Sequence, residues 1–200
     1  MTALVGIPLM LYLVHAGGVA YGLFVTAISA LCCYEYALML RLGGRPVQFI
    51  PTVALGSVLA ACAAFGGPLP LVLAAGAALV VLVEMAAKEH SLDRLALTIF
   101  GALFAGWMPA HLALIRDLRP HGEAFAFLTF AAVWAMDTAA YAAGRGFGRH
   151  ALAPVLSPKK TWEGAAAGFA AAIAVCLAFQ KFKLYESLTP LHAVMIGVLI

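Results

Sequence analysis

An all-α, polytopic integral membrane bundle is the fold class this sequence predicts, and three observations lead there. Of its 200 residues, 64% are hydrophobic and only 10% are charged, and the mean hydropathy is +1.01. A soluble domain needs roughly 25% charged residues to keep its surface solvated, so a surface this apolar must face lipid. Second, apolar runs of near-spanning length recur from one end of the chain to the other. Third, Ala and Gly are abundant within those runs, as in helices that pack closely inside a bilayer.

A helix crosses the hydrocarbon core with about 20 apolar residues, in a range of roughly 17–25. Spans are therefore expected at about residues 3–14, 19–40, 49–65, 69–87, 95–115, 124–143 and 162–180, with an eighth starting near Pro190 and cut at Ile200. This gives about seven complete spans plus a truncated eighth, in one transmembrane domain over residues 1–200. The first run is short but has no basic leader, and apolar segments follow it throughout, so it reads as a span rather than a signal peptide. Gly17-Gly18, Gly43-Gly44 and Gly66-Gly67-Pro68 punctuate the turns.

The formal net charge of +3 is too small to argue for nucleic acid, and none is expected as a partner. Cys32, Cys33, Cys62 and Cys176 all lie in apolar runs and read as buried thiols. The histidines show no H-x-x-x-H pair, so no zinc pattern is present. With the N-terminus cytoplasmic, the inside loops hold Arg41, Arg45, Lys88, Arg94, Arg145, Arg149, Lys159 and Lys160. The outside loops then hold Arg116, Arg119, Lys181 and Lys183. The positive-inside rule selects this orientation.

Three acids, Glu35, Glu84 and Asp137, fall inside apolar segments, where an ionisable group is costly and a functional candidate by default. In the chosen orientation each sits towards the cytoplasmic end of its span. Glu84 also precedes Lys88 by four residues, the spacing of a helical ion pair. Glu35 has the alternative of bonding within the bundle or reaching Arg41. Asp137 has no basic residue within one turn.

Residues 135–168 concentrate the polar signals, around a loop at about 144–161. Asp137, Tyr141 and Arg145 recur every four residues and would share one face of a continuing helix. Gly144, Gly146 and Gly148 are expected to end that helix and to let backbone approach a ligand. Their spacing is not that of a dinucleotide fingerprint, nor does a glycine-rich lead make Ser157-Pro158-Lys159-Lys160-Thr161 a Walker loop. Ser157 is a good N-cap and Pro158 a good first helical residue. A helix starting there would aim the amides of Lys159 and Lys160 at an anion, with both ammonium groups beside it. The same two lysines would serve equally to anchor a helix end in the headgroups. Gly164 and Gly168 form a G-x-x-x-G pair suited to tight helix packing.

From Asp137 to Gly164 the chain carries DTAAY, GRGFGR and LSPKKTWEG. This run resembles the bacterial phosphatidate cytidylyltransferases (CDP-diacylglycerol synthases). Their segment reads D-T-x-A-Y-x-x-G-x-x-F-G with Lys or Arg next, then Ile or Leu before S-P-K-K-T-x-E-G. Glu35 also fits an acid near the end of an early span in that family.

The resemblance implies a bacterial inner-membrane enzyme whose site faces the cytoplasm, converting CTP and phosphatidic acid to CDP-diacylglycerol and pyrophosphate. It implies Mg²⁺, with room for a second metal or a monovalent cation, and membrane lipids and a homodimer as partners. Asp137 would be the metal ligand and, with Lys160, catalytic. Lys159 and Lys160 would hold the triphosphate, and Arg145 or Arg149 the lipid phosphate or the nucleotide. Ser157 and Thr161 would bond phosphate or act as caps, with Glu35, Tyr141 and Glu163 in support.

A CTP-dependent lipid or polyprenol kinase is the nearest alternative. A transporter is a more distant one, since its acids would lie at the midplane of a visible repeat. The later K-R, K-D and H-G-G-x-x-D-R-x-D elements of the family do not occur before Ile200. These residues are thus expected to be the front part of a longer protein and to be inactive alone.

The charge distribution generates a topology prediction. A single cysteine placed at position 150, in a variant lacking the four native cysteines, should resist an impermeant thiol reagent applied outside sealed cells. One placed within residues 116–123 should react. Outside labelling at position 150 would reverse the orientation.

Overall fold

The apolar runs form helices because a backbone in hydrocarbon has no water to bond and must satisfy its own N–H and C=O groups. The computed structural model describes residues 2–181 and 188–200, and Lys183, assigned above to an outside loop, lies outside them. Nine α-helices are described: α1 (Thr2–Ala16), α2 (Gly18–Leu42), α3 (Phe49–Phe65), α4 (Leu69–Met85), α5 (Leu92–Gly101), α6 (Met108–Arg116), α7 (Gly122–Phe147), α8 (Trp162–Lys181) and α9 (Pro190–Leu199). A two-stranded antiparallel hairpin, β1 (Ala151–Ala153) and β2 (Ser157–Thr161), sits between α7 and α8.

Four helical stretches are long and apolar enough to cross a membrane: Gly18–Leu42, Leu92–Arg116, Gly122–Phe147 and Trp162–Lys181. The other apolar helices are shorter, and α3 and α4, at 17 residues each, sit at the lower limit for a span. Large apolar side chains such as Leu31, Leu82 and Phe104 point outward. Such a surface has lipid as its solvent. The chain is a multi-pass membrane helical bundle.

Two compact units are present, residues 1–118 and 119–200. In the first, Leu55, Leu59, Val80 and Ala102 form the core, drawn from α3, α4 and the α5–α6 stretch. That stretch contains a π-helical turn at Ala102–Trp107. Pro109 has no N–H to offer the carbonyl of Ala105, and the wider turn accommodates the missing bond. Met108 N accordingly donates to Leu103 O. The same turn lets Gly106 lie against the backbone of Gly56, where any β-carbon would collide. Cys33 and Cys176 are buried, whereas Cys32 and Cys62 are only half-buried.

Glu84 does not pair with Lys88. Helix α4 ends at Met85, so Lys88 is not one helical turn further along, and the chain reverses into α5. Arg94 instead grips the carboxylate from both sides, Nε to Oε2 at 2.8 Å and Nη2 to Oε1 at 2.7 Å. The backbone N–H of Ser91 and the side-chain amide of Gln48 donate to the same carboxylate at 2.7 and 2.9 Å. Gln48 N in turn donates to Thr98 Oγ1 at 2.9 Å. Four donors on one carboxylate leave little of its charge unmet, which is how an acid survives at a span end.

Arg94→Met strands that carboxylate and should lower the thermal midpoint of the detergent-solubilised protein by several degrees. Lys88→Met should leave it unchanged. The reverse ranking, read by thiol-reactive or scattering thermal shift, would restore the local ion pair.

Candidate active site

The second unit is built from α7, α8, α9 and the hairpin. Leu128, Ala132, Cys176 and Ala193 form its core and tie the three helices together. The G-x-x-x-G pair does the packing expected of it. A β-carbon on Gly164 would come 2.7 Å from Ala140 O, and one on Gly168 would come 3.0 Å from Met136 O. The backbones of α7 and α8 therefore touch without side chains between them.

This contact changes the reading of the glycines. Helix α7 runs through Gly144 and Gly146 to Phe147 rather than ending before them. The space at Gly148 and Gly164 is occupied by Thr161, not reserved for a ligand. A β-carbon at Gly148 would lie 2.6 Å from Thr161 Cγ2, and one at Gly164 would lie 3.1 Å from its Oγ1.

Nor does a helix begin at Ser157. Residues Ser157–Thr161 are β2, paired with β1 through Ala151 opposite Thr161 and Ala153 opposite Ser157. The cap of α8 is Thr161, whose Oγ1 accepts from Gly164 N at 3.1 Å. Cross-strand pairing overrides the local Ser-Pro capping signal. Lys159 and Lys160 thus contribute ammonium groups from a strand, not amides from a helix end.

A cleft of about 1100 Å³ opens between these elements. Its polar lining is Asp137, Tyr141 and Arg145 from α7, and Ser157, Lys159, Lys160 and Thr161 from β2. Its apolar lining includes Phe169 and Ala172 of α8 and Val198 of α9. The four-residue spacing on α7 does set Asp137, Tyr141 and Arg145 along one helix face, and Arg145 Nη1 donates to Tyr141 Oη at 2.7 Å. Asp137 is exposed, is the one carboxylate among the described lining residues, and makes no hydrogen bond or ion pair among the described residues.

Arg149 and Glu163 lie outside the lining. Glu163 holds the hairpin root: its Oε1 is 2.6 Å from His150 Nδ1. Trp162 N also donates to His150 O at 3.0 Å. His150 is a residue the motif reading passed over, since nothing in the spacing of His150 and Glu163 says that a hairpin brings them together. Glu35 is exposed on α2 in the first unit.

A carboxylate such as Asp137, unpartnered among the described residues and on the wall of a cleft whose other charged residues are cations, fits Mg²⁺, which commonly takes one or two protein carboxylates and fills its octahedron with phosphate oxygens and water. The described residues contain no group of three His, Cys, Asp or Glu side chains that would hold a metal alone. Further ligands of such an ion would come from elsewhere than these side chains.

Comparison with known proteins bears on this arrangement. Residues 1–200 match the sequence profile of the Cytidylyltransferase family. The chain is similar to the phosphatidate cytidylyltransferase of Brucella suis biovar 1, with 32% identity over 181 residues covering 86% of this chain and 63% of that protein. It is also similar to the phosphatidate cytidylyltransferase of Bacillus subtilis, 29% identical over 93 residues covering 46% of this chain and 35% of that one. That of Staphylococcus epidermidis is 42% identical over 66 residues, 33% of this chain and 25% of the relative. The chain thus spans less than two thirds of the length of these relatives. No solved structure matches it. With its whole length matched to the profile, the chain belongs to the cytidylyltransferase family.

Proposed function

We propose that this chain carries the nucleotide-binding part of a phosphatidate cytidylyltransferase of the bacterial inner membrane, with the cleft facing the cytoplasm. An oxygen of the phosphatidate phosphate attacks the α-phosphorus of CTP in line. The bond from that phosphorus to the bridging oxygen breaks, and pyrophosphate leaves. Both reactants are anions, so positioning and neutralisation of phosphate charge carry most of the catalysis.

The residues of the cleft can fill those needs. Lys159 and Lys160 stand in its polar lining as mobile point charges for the triphosphate. The guanidinium of Arg145, steadied by the Tyr141 hydroxyl, offers a planar fork to a phosphate. Asp137 would hold Mg²⁺, which when bound supplies Lewis-acid polarisation of phosphate oxygens. Glu163, through His150, fixes the strand that carries the lysines. The apolar walls suit the part of a lipid that stays in the bilayer. The observation that carries the reading is the meeting of Asp137, Arg145, Lys159 and Lys160 on one cleft whose remaining lining is largely apolar, in a chain similar to enzymes of this name.

The test uses the enzyme carrying this chain through its natural C-terminus, with turnover normalised to monodisperse folded protein. Asp137→Asn keeps the size of the side chain and should cost about a hundredfold or more in kcat/KM. Lys160→Met should cost about tenfold or more, expressed mainly in the CTP dependence. Lys181→Met removes an equal charge from the far end of α8 and should be near normal. Equal activity in all three variants would leave the cleft without a catalytic role.

A further inference from the structure

Two of the three residues at the tip of the hairpin are unusual for a turn in water. Water-exposed turns draw on Gly, Pro, Asn, Asp and Ser, whose side chains or backbone geometry suit the bend. Residues 154–156 are Pro154, Val155 and Leu156. Val155 is 95% exposed and Leu156 91%, more than any other large hydrophobic residue described. Nothing in the second unit covers them, and Pro154 and Pro158 on either side limit how far the backbone can fold them away.

The packing of α7 and α8 fixes the depth at which this hairpin is rooted. Gly164 faces Ala140 and Gly144, so the first turn of α8 is level with the last turns of α7. Helix α7 has 26 residues and is about 39 Å long at the usual helical rise, which exceeds a hydrocarbon core of about 30 Å. Both helix ends therefore reach the headgroup layer. Phe147 and Trp162, 77% and 61% exposed, are the aromatic side chains that such a layer accepts. Between Gly148 and Thr161 the chain has Arg149, Lys159 and Lys160 and no acidic residue. Exposed branched apolar groups among uncompensated cations are the signature of a segment lying in an anionic interface.

We infer that the hairpin tip, residues 154–156, is a membrane-interface contact. It seats Val155 and Leu156 among the headgroups of an anionic lipid surface. The strand carrying Lys159 and Lys160 is thereby held at headgroup level beside the cleft. Lipid phosphate would then meet the lysines at the depth it already occupies in the bilayer. The contact goes beyond the cytidylyltransferase reading and does not depend on it, since its measurement involves neither CTP nor turnover.

The experiment places single spin labels at Val155, Leu156, Lys159 and Ala170 in the full chain lacking its native cysteines. The protein is reconstituted in vesicles of phosphatidylethanolamine and phosphatidylglycerol. Collision with oxygen and with a water-soluble nickel chelate reads depth. The ratio of oxygen to nickel access at 155 and 156 should be several-fold above that at 159 and below that at 170, within α8. It should fall when phosphatidylcholine replaces the anionic lipid, and an unchanged ratio overturns the anionic preference. Nickel access at 155 equal to that at 159 places the tip in water and overturns the inference. Exclusion of both reagents means that protein covers the tip and overturns it equally. Should the cysteine-free form fail to fold, benzoylphenylalanine at position 155 with native cysteines retained should capture phospholipid on irradiation. Capture of protein alone would count against the contact.

Discussion

The bare backbone contact between α7 and α8 sets the geometry of the second unit. At Gly164 and Gly168 no side chain separates the helices, and the nearest atoms are the carbonyl oxygens of Ala140 and Met136. Within lipid there is no hydrophobic drive for helices to associate, so close van der Waals contact has to do that work. The contact also fixes where β2 can enter α8. Thr161 is wedged against Gly148 and Gly164 while its hydroxyl caps the helix. Lys160 and Lys159 are the two residues before it, so their place at the cleft follows from the seating of one threonine. A larger residue at Gly148 or Gly164 would move the lysines without touching them.

Periodicity made much of this legible. Each of the eight apolar runs holds a helix or, at residues 95–115, the α5–α6 stretch, and four of these stretches have the length that a bilayer dictates. Asp137, Tyr141 and Arg145 share a face because a four-residue step returns to the same side of any helix. The failures came where local signals compete with partners distant in sequence. Ser157-Pro158 reads as a helix start, but Ala151–Ala153 offers a strand, and cross-strand hydrogen bonds win. Glu84 and Lys88 read as a pair, but the helix stops between them and Arg94 arrives from the next one. Gly144 and Gly146 read as a helix end, yet α7 runs through both, and Gly144 lies against Thr161 and Gly164 where the root of α8 packs on it.

In the first unit a different kind of constraint operates. Its polar residues gather around one carboxylate, with Arg94, Gln48 and the Ser91 amide all donating to Glu84 and Thr98 linking Gln48 to α5. His90 Nδ1 lies 3.0 Å from Glu84 O, and Arg94 also reaches the Glu89 carbonyl. These bonds close the turn between α4 and α5, and every donor on the acid is matched. An acid so engaged has no spare lone pair to offer a metal or substrate. Being ionisable within an apolar run therefore marked Glu84 as a candidate, and its partners mark it as structural.

Asp137 shows the opposite pattern, as expected of a residue proposed for the site rather than the scaffold. Its carboxylate shares a cleft wall with Arg145, Lys159 and Lys160, any of which would neutralise it. Arg145 instead bonds to the neutral Tyr141 hydroxyl, and neither lysine has an acid partner among the described residues. Cations gathered on one cleft without acid partners repel one another and raise the energy of the free protein. Such a cost is tolerated where a ligand removes it. A polyanion would relieve the three cations, and a divalent cation arriving with it would relieve the carboxylate. The proposed metal–polyphosphate ligand would match that charge pattern, its phosphates meeting the cations and its metal meeting Asp137.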